Sequence, residues 1–246
     1  MALPSFLKPK KTYLLERIGK NNDGGYLVGP NSVKEAKYLV SLGISDDWTF
    51  EKNFFKYNKN IKVFCFDDQL SIKFLIKKIL NSLFMFFFNL KLKLLLFNVK
   101  NFFDFIVLSK KIKFKKQRIN YGDLKNITAH LDKIFIKIDI EGSEYIVIED
   151  LLKIRDKIVG LTIEFHDIDL HIDKIEQFIN VIDLELIHLH PNNYSRLDKF
   201  DNPTIIELSF EKRPIIIKNE PTIPHELDQK CNPERPELSI KFFNEY

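Results

Sequence analysis

The side chains able to do chemistry in this chain gather in short clusters, and most of them follow short apolar runs. Asp67 and Asp68 end the run Val63-Phe64-Cys65-Phe66. Asp139 and Glu141 follow Ile134-Phe135-Ile136-Lys137-Ile138. Glu164, His166 and Asp167 close the run that starts at Val159, and His188, His190, Asn192 and Asn193 come after the next one. Histidine titrates near working pH, so His166 is the first candidate for a general base that takes a proton from a hydroxyl. Asp139, Glu164 and His166 also offer two carboxylates and an imidazole, a set able to hold Mg²⁺ or Mn²⁺. Each residue alone would serve equally well as a strand-end hydrogen-bonding group. Their shared placement is what points to a site.

The glycines narrow the cofactor. A dinucleotide fingerprint places three spaced glycines after the first strand. Here the run Tyr38-Leu39-Val40-Ser41-Leu42 is followed by Gly43 alone, so pyrophosphate binding is unsupported. S-adenosylmethionine has no phosphate and needs one close backbone approach, which a single glycine permits. Ser41 and Gly43 are the candidate contacts at that turn. A carboxylate at the end of the second strand accepts hydrogen bonds from both hydroxyls of a ribose. Asp67 fits, with Asp68 beside it as the alternative; Asp67 also reads as an N-cap for a helix beginning near Ser71. The stretch Asn22-Asp23-Gly24-Gly25-Tyr26 is foremost a turn signal. It also suits bringing backbone N–H groups and a carboxylate to the methionine end of the cofactor.

These residues need elements that bring them to one edge. The four runs at 38–42, 63–66, 134–138 and 159–165 have the uncharged, β-branched or aromatic character of buried parallel strands. Helical patterns follow at 49–59, 143–153 and 172–181. Strands alternating with helices predict βαβ units and a parallel α/β sheet, whose ligands bind beyond the carboxyl ends of the strands. Runs at 184–189 and 204–210 predict an antiparallel pair at one edge of the doubly wound sheet. The whole of 1–246 reads as one domain. Residues 71–116, rich in lysine, phenylalanine and leucine, form a helical insert within it, and 214–246 form an irregular tail. The insert is expected to cover the sheet, to pair copies of the chain, or to touch a membrane surface peripherally.

Composition removes several classes. The net charge of +4 is mild, and its distribution reads as spread rather than clustered, so a nucleic-acid partner is not expected. The two cysteines show no pairing pattern and imply a reducing compartment. The apolar stretch at 79–90 is too short to span a bilayer, which takes about 20 residues. No secretory signal follows Met1, and a cytoplasmic location is expected.

With these pieces placed, the chain resembles the FkbM family of methyltransferases. The resemblance lies in Arg17-Ile18-Gly19 with Asp23-Gly24-Gly25-Tyr26, in Leu42-Gly43-Ile44 with Asp47 and Phe50-Glu51, and in Phe66-Asp67. It continues in Lys137-Ile138-Asp139-Ile140-Glu141-Gly142-Ser143-Glu144, Ile163-Glu164-Phe165-His166, His188-Leu189-His190 with Asn192-Asn193, and the tail from Pro224-His225-Glu226-Leu227-Asp228 to Arg235-Pro236. Two departures stand out. Asp68 occupies a position where proline often follows the ribose-binding acid, and 71–116 has no counterpart. The resemblance implies a Rossmann-like methyltransferase fold and S-adenosylmethionine as donor. It implies a sugar or nucleotide-sugar hydroxyl as acceptor, in surface polysaccharide biosynthesis. His166, Asp139, Glu141 and His190 are then the candidate catalytic residues, and Asp23, Gly24, Gly25, Tyr26, Ser41, Gly43, Asp67 and Asp68 the candidate cofactor contacts. The competing expectation is a metal-dependent glycosyltransferase, with Asp67-Asp68 binding a cation on a nucleotide-sugar diphosphate.

Overall fold

Buried strands with apolar side chains on both faces need a cover on each side. In the computed structural model, which describes residues 2–89 and 91–243, the central sheet has seven strands. They are β1 (Tyr38–Leu42), β2 (Lys62–Asp67), β3 (Lys113–Lys116), β4 (Ile134–Ile138), β5 (Ile158–Phe165), β6 (Glu185–Pro191) and β7 (Ile206–Glu211). Their spatial order is β3-β2-β1-β4-β5-β7-β6. The pairs among β1 to β5 are parallel, whereas β7 is antiparallel to both of its neighbours. The protein therefore has the α/β class, the mostly parallel Rossmann-like sheet and the antiparallel C-terminal edge that its pattern predicts, with β7 set inside β6.

Period-two alternation sends successive strand residues to opposite faces. Val40, Leu42, Ile136 and Ile138 join one core with Val147 and Leu151 of helix α6 (Glu144–Lys153) and with Ile175 and Phe178 of α7 (Ile168–Val181). Short α5 (Asp123–Ile127) adds Leu124 to that side. On the other face, Leu39, Val63, Cys65 and Phe135 pack with Val33 of α1 (Pro30–Glu35) and with Phe50 and Phe54 of α2 (Thr49–Tyr57). The same core takes Leu75 of α3 (Ile72–Asn89) and Phe105 of α4 (Leu92–Ser109).

Two regions differ from the sequence reading. Helices α3 and α4 account for 72–89 and 92–109, but Lys113–Lys116 is not insert: it is β3, an edge strand paired with β2. Its three lysines face solvent, so it lacks the apolar run that marks the other strands. Leu90, within the expected insert, lies outside the described residues. The tail is also more tied than expected. Ile216–Lys218 pairs with Thr12–Tyr13, and Lys241–Phe243 pairs with Ala2–Pro4. Residues 244–246 lie outside the described ones. No described helix is long and apolar enough to cross a membrane.

Phe54 is the test of this layered core. It is fully buried, with its ring 5.0 Å from that of Phe135 and 5.9 Å from that of Phe50. Phe54→Ala should cost about 3–5 kcal/mol through lost burial and an unfilled cavity. Urea unfolding should show this as a lower midpoint with an unchanged slope.

Candidate active site

The strand order turns at β1 and β4. From β1 the chain moves outward to β2 and β3, and from β4 it moves the other way to β5. Loops leaving the two carboxyl ends diverge there and leave a crevice. A cleft of about 600 Å³ occupies that place, lined by the turns at 43–47, 67–70, 117–119 and 139–141 and by Lys20, Asp23 and Gly24. The last three come from a hairpin, Glu16–Ile18 with Tyr26–Val28, that closes on the Asp-Gly-Gly turn.

Gly43 sits at the junction with a φ of +74°, and a Cβ built on it would lie 1.6 Å from the carbonyl oxygen of Asp139. Only glycine fits. The close approach inferred from the sequence is thus to β4 as well as to the cleft. Lys137, buried within β4, fixes the same corner: its Nζ donates to the Gly43 carbonyl at 2.7 Å and stands 3.7 Å from Asp139 Oδ2. Burial favours release of the lysine proton, but Asp139, Glu51, Glu164 and Asp47 together hold it above the ordinary lysine value. Tyr26 is buried and donates its hydroxyl to Asp139 Oδ2 at 3.1 Å.

Asp67 is anchored by three backbone N–H groups. Oδ1 accepts the backbone N–H groups of Gln69 and Leu70, at 2.8 and 2.6 Å, and Oδ2 accepts that of Ser45 at 2.8 Å. It is not the N-cap that the sequence suggested, because Ser71 Oγ accepts the Phe74 N–H at 3.1 Å at the start of α3; the Asp67 carboxylate instead ties the β1 and β2 turns together and lines the cleft. Asp68 is exposed beside it and lines the same cleft.

The cleft wall is acidic. Asp23, Asp46, Asp47, Asp67, Asp68, Asp139 and Glu141 line it, against Lys20, Arg118 and Lys137. Behind Asp139 lies Glu164, buried, with Asn192 donating to its Oε1 at 3.0 Å. Burial, together with Asp139, Glu207 and Asp23, pushes the Glu164 carboxyl well above the usual carboxylate range. Asp23 is raised as well, by burial and, against Lys20, by Asp139 and Glu207. Carboxylates crowded in this way favour a cation among them and disfavour a diphosphate.

His166 stands at the end of β5, just behind this wall. Its Nδ1 lies 3.1 Å from Glu144 Oε1, and its Nε2 lies 3.5 Å from Glu141 and 3.6 Å from Glu164. Glu144, in the first turn of α6, also accepts the N–H groups of Ile140 and Gly142, each at 3.1 Å. Burial works against the charged imidazole, but the Glu144 bond and the charges of Asp139 and Glu141 raise His166 above its ordinary value. The ligand atoms of Asp139, Glu164 and His166 lie within 4.8 Å of one another, close enough to share one metal ion.

Other residues in the sequence-derived set lie elsewhere. Ser41 is buried and donates to Glu51, tying β1 to α2, so it does not reach the cleft. Gly25 and Tyr26 lie behind the cleft wall and shape it: a Cβ on Gly25 would sit 1.9 Å from the Lys20 carbonyl oxygen. His190 is not placed to serve as a catalytic base. It is buried, with Nδ1 3.3 Å from Glu207 and Nε2 3.2 Å from Glu237 of the tail. Against burial, the bonds to Cys231, Glu207 and Glu237 raise it far above the usual imidazole value. Burial and Glu207 push the neighbouring Cys231 thiol up to about 12. These ligand types are close enough to hold an ion, but the imidazolium already balances its two carboxylates. Sequence reasoning missed Lys137 as a functional residue. Its one signal was a lysine inside an otherwise apolar strand.

No family model matches the chain, and no curated protein does. Among solved structures, it is similar to the Methanococcus jannaschii fibrillarin pre-rRNA processing protein, with 11% identity, 82% of this chain and 84% of that one covered, and a TM-score of 0.39. It is similar also to precorrin-6y C5,15-methyltransferase from Geobacter metallireducens GS-15, with 8% identity, 74% and 84% covered, and a TM-score of 0.40. A third is TrmK of M. capricolum in complex with S-adenosyl-homocysteine, with 15% identity, 80% and 70% covered, and a TM-score of 0.37. At this level of likeness, only the residues at the sheet edge can speak for function.

The His190 network has a pH signature. A histidine raised by folding contributes stability that is complete below the ordinary value of 6.5 and is lost as pH rises toward the folded value. Between about pH 6.5 and 9, wild-type stability should fall with a slope approaching ~1.4 kcal/mol per pH unit from this residue. His190→Gln should flatten that slope in urea titrations; equal slopes would mean that the folded protein holds no extra proton there.

Proposed function

We propose that this chain is an S-adenosylmethionine-dependent O-methyltransferase of the FkbM type, with a sugar or nucleotide-sugar hydroxyl as acceptor. The observation that carries the reading is the cleft itself. It joins a carboxylate at the end of β2, a glycine turn after β1 and a crowd of acids at the end of β4, and it has no phosphate-binding glycine series. The block 137–144, the most specific part of the family resemblance, supplies much of one wall. A metal-dependent glycosyltransferase would use the Asp67-Asp68 pair, but it gives no role to the Asp23-Gly24-Gly25-Tyr26 turn or to the 137–144 block.

The residues divide the work by position. Asp67 presents its remaining lone pairs to the ribose hydroxyls, with Asp68 alongside. Gly43 and Gly24 keep the backbone close at the middle of the cleft. Asp23 and Asp139 face the positively charged end. When bound, S-adenosylmethionine supplies a methyl group on an activated sulfonium, and the protein has to align the acceptor oxygen with it. His166 holds or takes the acceptor proton, with Glu144 fixing its ring. Because the fold favours the protonated imidazole, base catalysis by His166 gains as pH rises. Asp139, Glu164 and His166 fit a divalent ion, which would acidify the hydroxyl instead.

Calorimetry with S-adenosylhomocysteine tests the cofactor half. Asp67→Ala should weaken binding by roughly 1.5–3 kcal/mol, the range for hydrogen bonds to a charged group. Unchanged affinity there, with a loss in Asp68→Ala, would move the ribose contact to Asp68, and no binding by the wild type would remove the proposal.

Acceptor activation is tested on turnover. His166→Ala should lower it by ~10²–10⁴ at near-normal cofactor affinity. If the ion fits as described, EDTA should stop the wild type and Mg²⁺ or Mn²⁺ restore it. Full activity in EDTA leaves His166 as the base.

A further inference from the structure

The α3–α4 hairpin carries two features that folding does not account for. The first is an apolar face turned outward. Along α3, exposed Ile72, Ile76, Leu80, Leu83 and Phe87 recur at helical spacing, and Leu92, Leu96, Phe103 and Val107 do the same along α4. A surface helix ordinarily turns such a stripe inward. Here the inward faces give the core only a few residues, Leu75, Phe105 and Leu108 among them.

The second feature is charge. Residues 71–116 contain eleven lysines and a single acid, Asp104, in a chain whose net charge is only +4. The basic charge is thus concentrated here, contrary to the even spread read from composition, and the rest of the chain is net acidic. Lys73, Lys77, Lys91, Lys93 and Lys100 are exposed among the apolar residues.

We propose that the hairpin lies on an anionic lipid surface, its leucines and phenylalanines at the headgroup–acyl boundary and its lysines on the lipid phosphates. Basic and apolar residues side by side on a non-spanning helix suit that interface. A second copy of the chain would bring the same lysines against these, which like-charge repulsion opposes. Single-stranded RNA would satisfy the lysines but leave the aliphatic stripe in water. The hairpin is rooted at the rim of the cleft. Phe74 lines it, Lys78 pairs with Asp46, and Asn101 Nδ2 donates to the Asp46 carbonyl at 3.2 Å. Seating the hairpin therefore holds the cleft beside the lipid surface. This inference stands apart from the methyl-transfer proposal, and its readout needs no activity.

The test is flotation of the full chain with phosphatidylcholine vesicles, with and without phosphatidylserine. The protein should float with the anionic vesicles only, and added salt should release it. The triple variant Leu80→Ser, Phe87→Ser, Phe97→Ser should float at least about tenfold less. Lys77→Gln, Lys93→Gln, Lys100→Gln should reduce binding on the order of 100-fold, at roughly fivefold per lysine. Both variants should keep the wild-type thermal midpoint, because all six positions are exposed. Absence of flotation, flotation unchanged in both variants, or binding of single-stranded RNA in place of vesicles would overturn the proposal. So would a concentration-dependent dimer in sedimentation velocity that the apolar variant abolishes, in a chain that does not float.

Discussion

At the junction of β1 and β4, the Cα of Gly43 packs against the carbonyl of Asp139 so closely that no other residue fits. The in-register pairing of Leu42 with Ile138 brings the two turns to the same level. Lys137 then reaches across from β4 to the Gly43 carbonyl, and Tyr26 reaches over from the N-terminal hairpin to the Asp139 carboxylate. The turn after β1, the end of β4 and the N-terminal hairpin thus meet at one corner. Asp67 joins them by accepting the Ser45 N–H from the same loop. These contacts hold the corner of the cleft together.

The electrostatics follow from that crowding. Asp139 brings its charge up to Glu164 and Asp23, and both are pushed toward their neutral forms. Lys137 offsets part of the charge from inside the sheet. This is an expensive arrangement for a core, since buried carboxyls are costly unless paired. Such expense concentrates where a site needs a field. Glu144 shows the structural side of the same economy. One of its oxygens serves two backbone N–H groups and His166, which makes the turn after β4 and the end of β5 a single unit.

Much of this was legible in the residues. The apolar runs at 38–42 and 134–138 match β1 and β4 residue for residue, because buried parallel strands show themselves as uncharged β-branched stretches. The strand-end rule then brought Gly43, Asp67, Asp139 and Glu141 to one edge, and all four line the cleft. The rule fails where a side chain's direction matters. Ser41 and His190 also lie at or near strand ends, yet one points toward α2 and the other into a carboxylate pair beneath the tail. Alternation along a strand decides this, and a single sequence does not say which face holds the ligand. Edge strand β3 was illegible for another reason. Lys-Phe-Lys-Lys earns its place by pairing with β2 rather than by burial, and pairing leaves no mark on composition.

The tail has a consequence in time as well as in space. Asp228 bonds His188 at 2.8 Å, Asn232 and Asn193 hold each other through backbone and side chain, and Cys231 and Glu237 enclose His190. All the partners on the sheet side belong to β6, β7 or the loop between them, and all the tail partners are made after residue 225. On the ribosome, which adds about 5–20 residues per second, β6 and β7 emerge with their histidines and Glu207 still facing water. The His188–Asp228 and His190–Glu237 pairs form only after residues 228–237 have left the exit tunnel. Until then the emerging chain carries a formed cleft corner beside an unsealed flank.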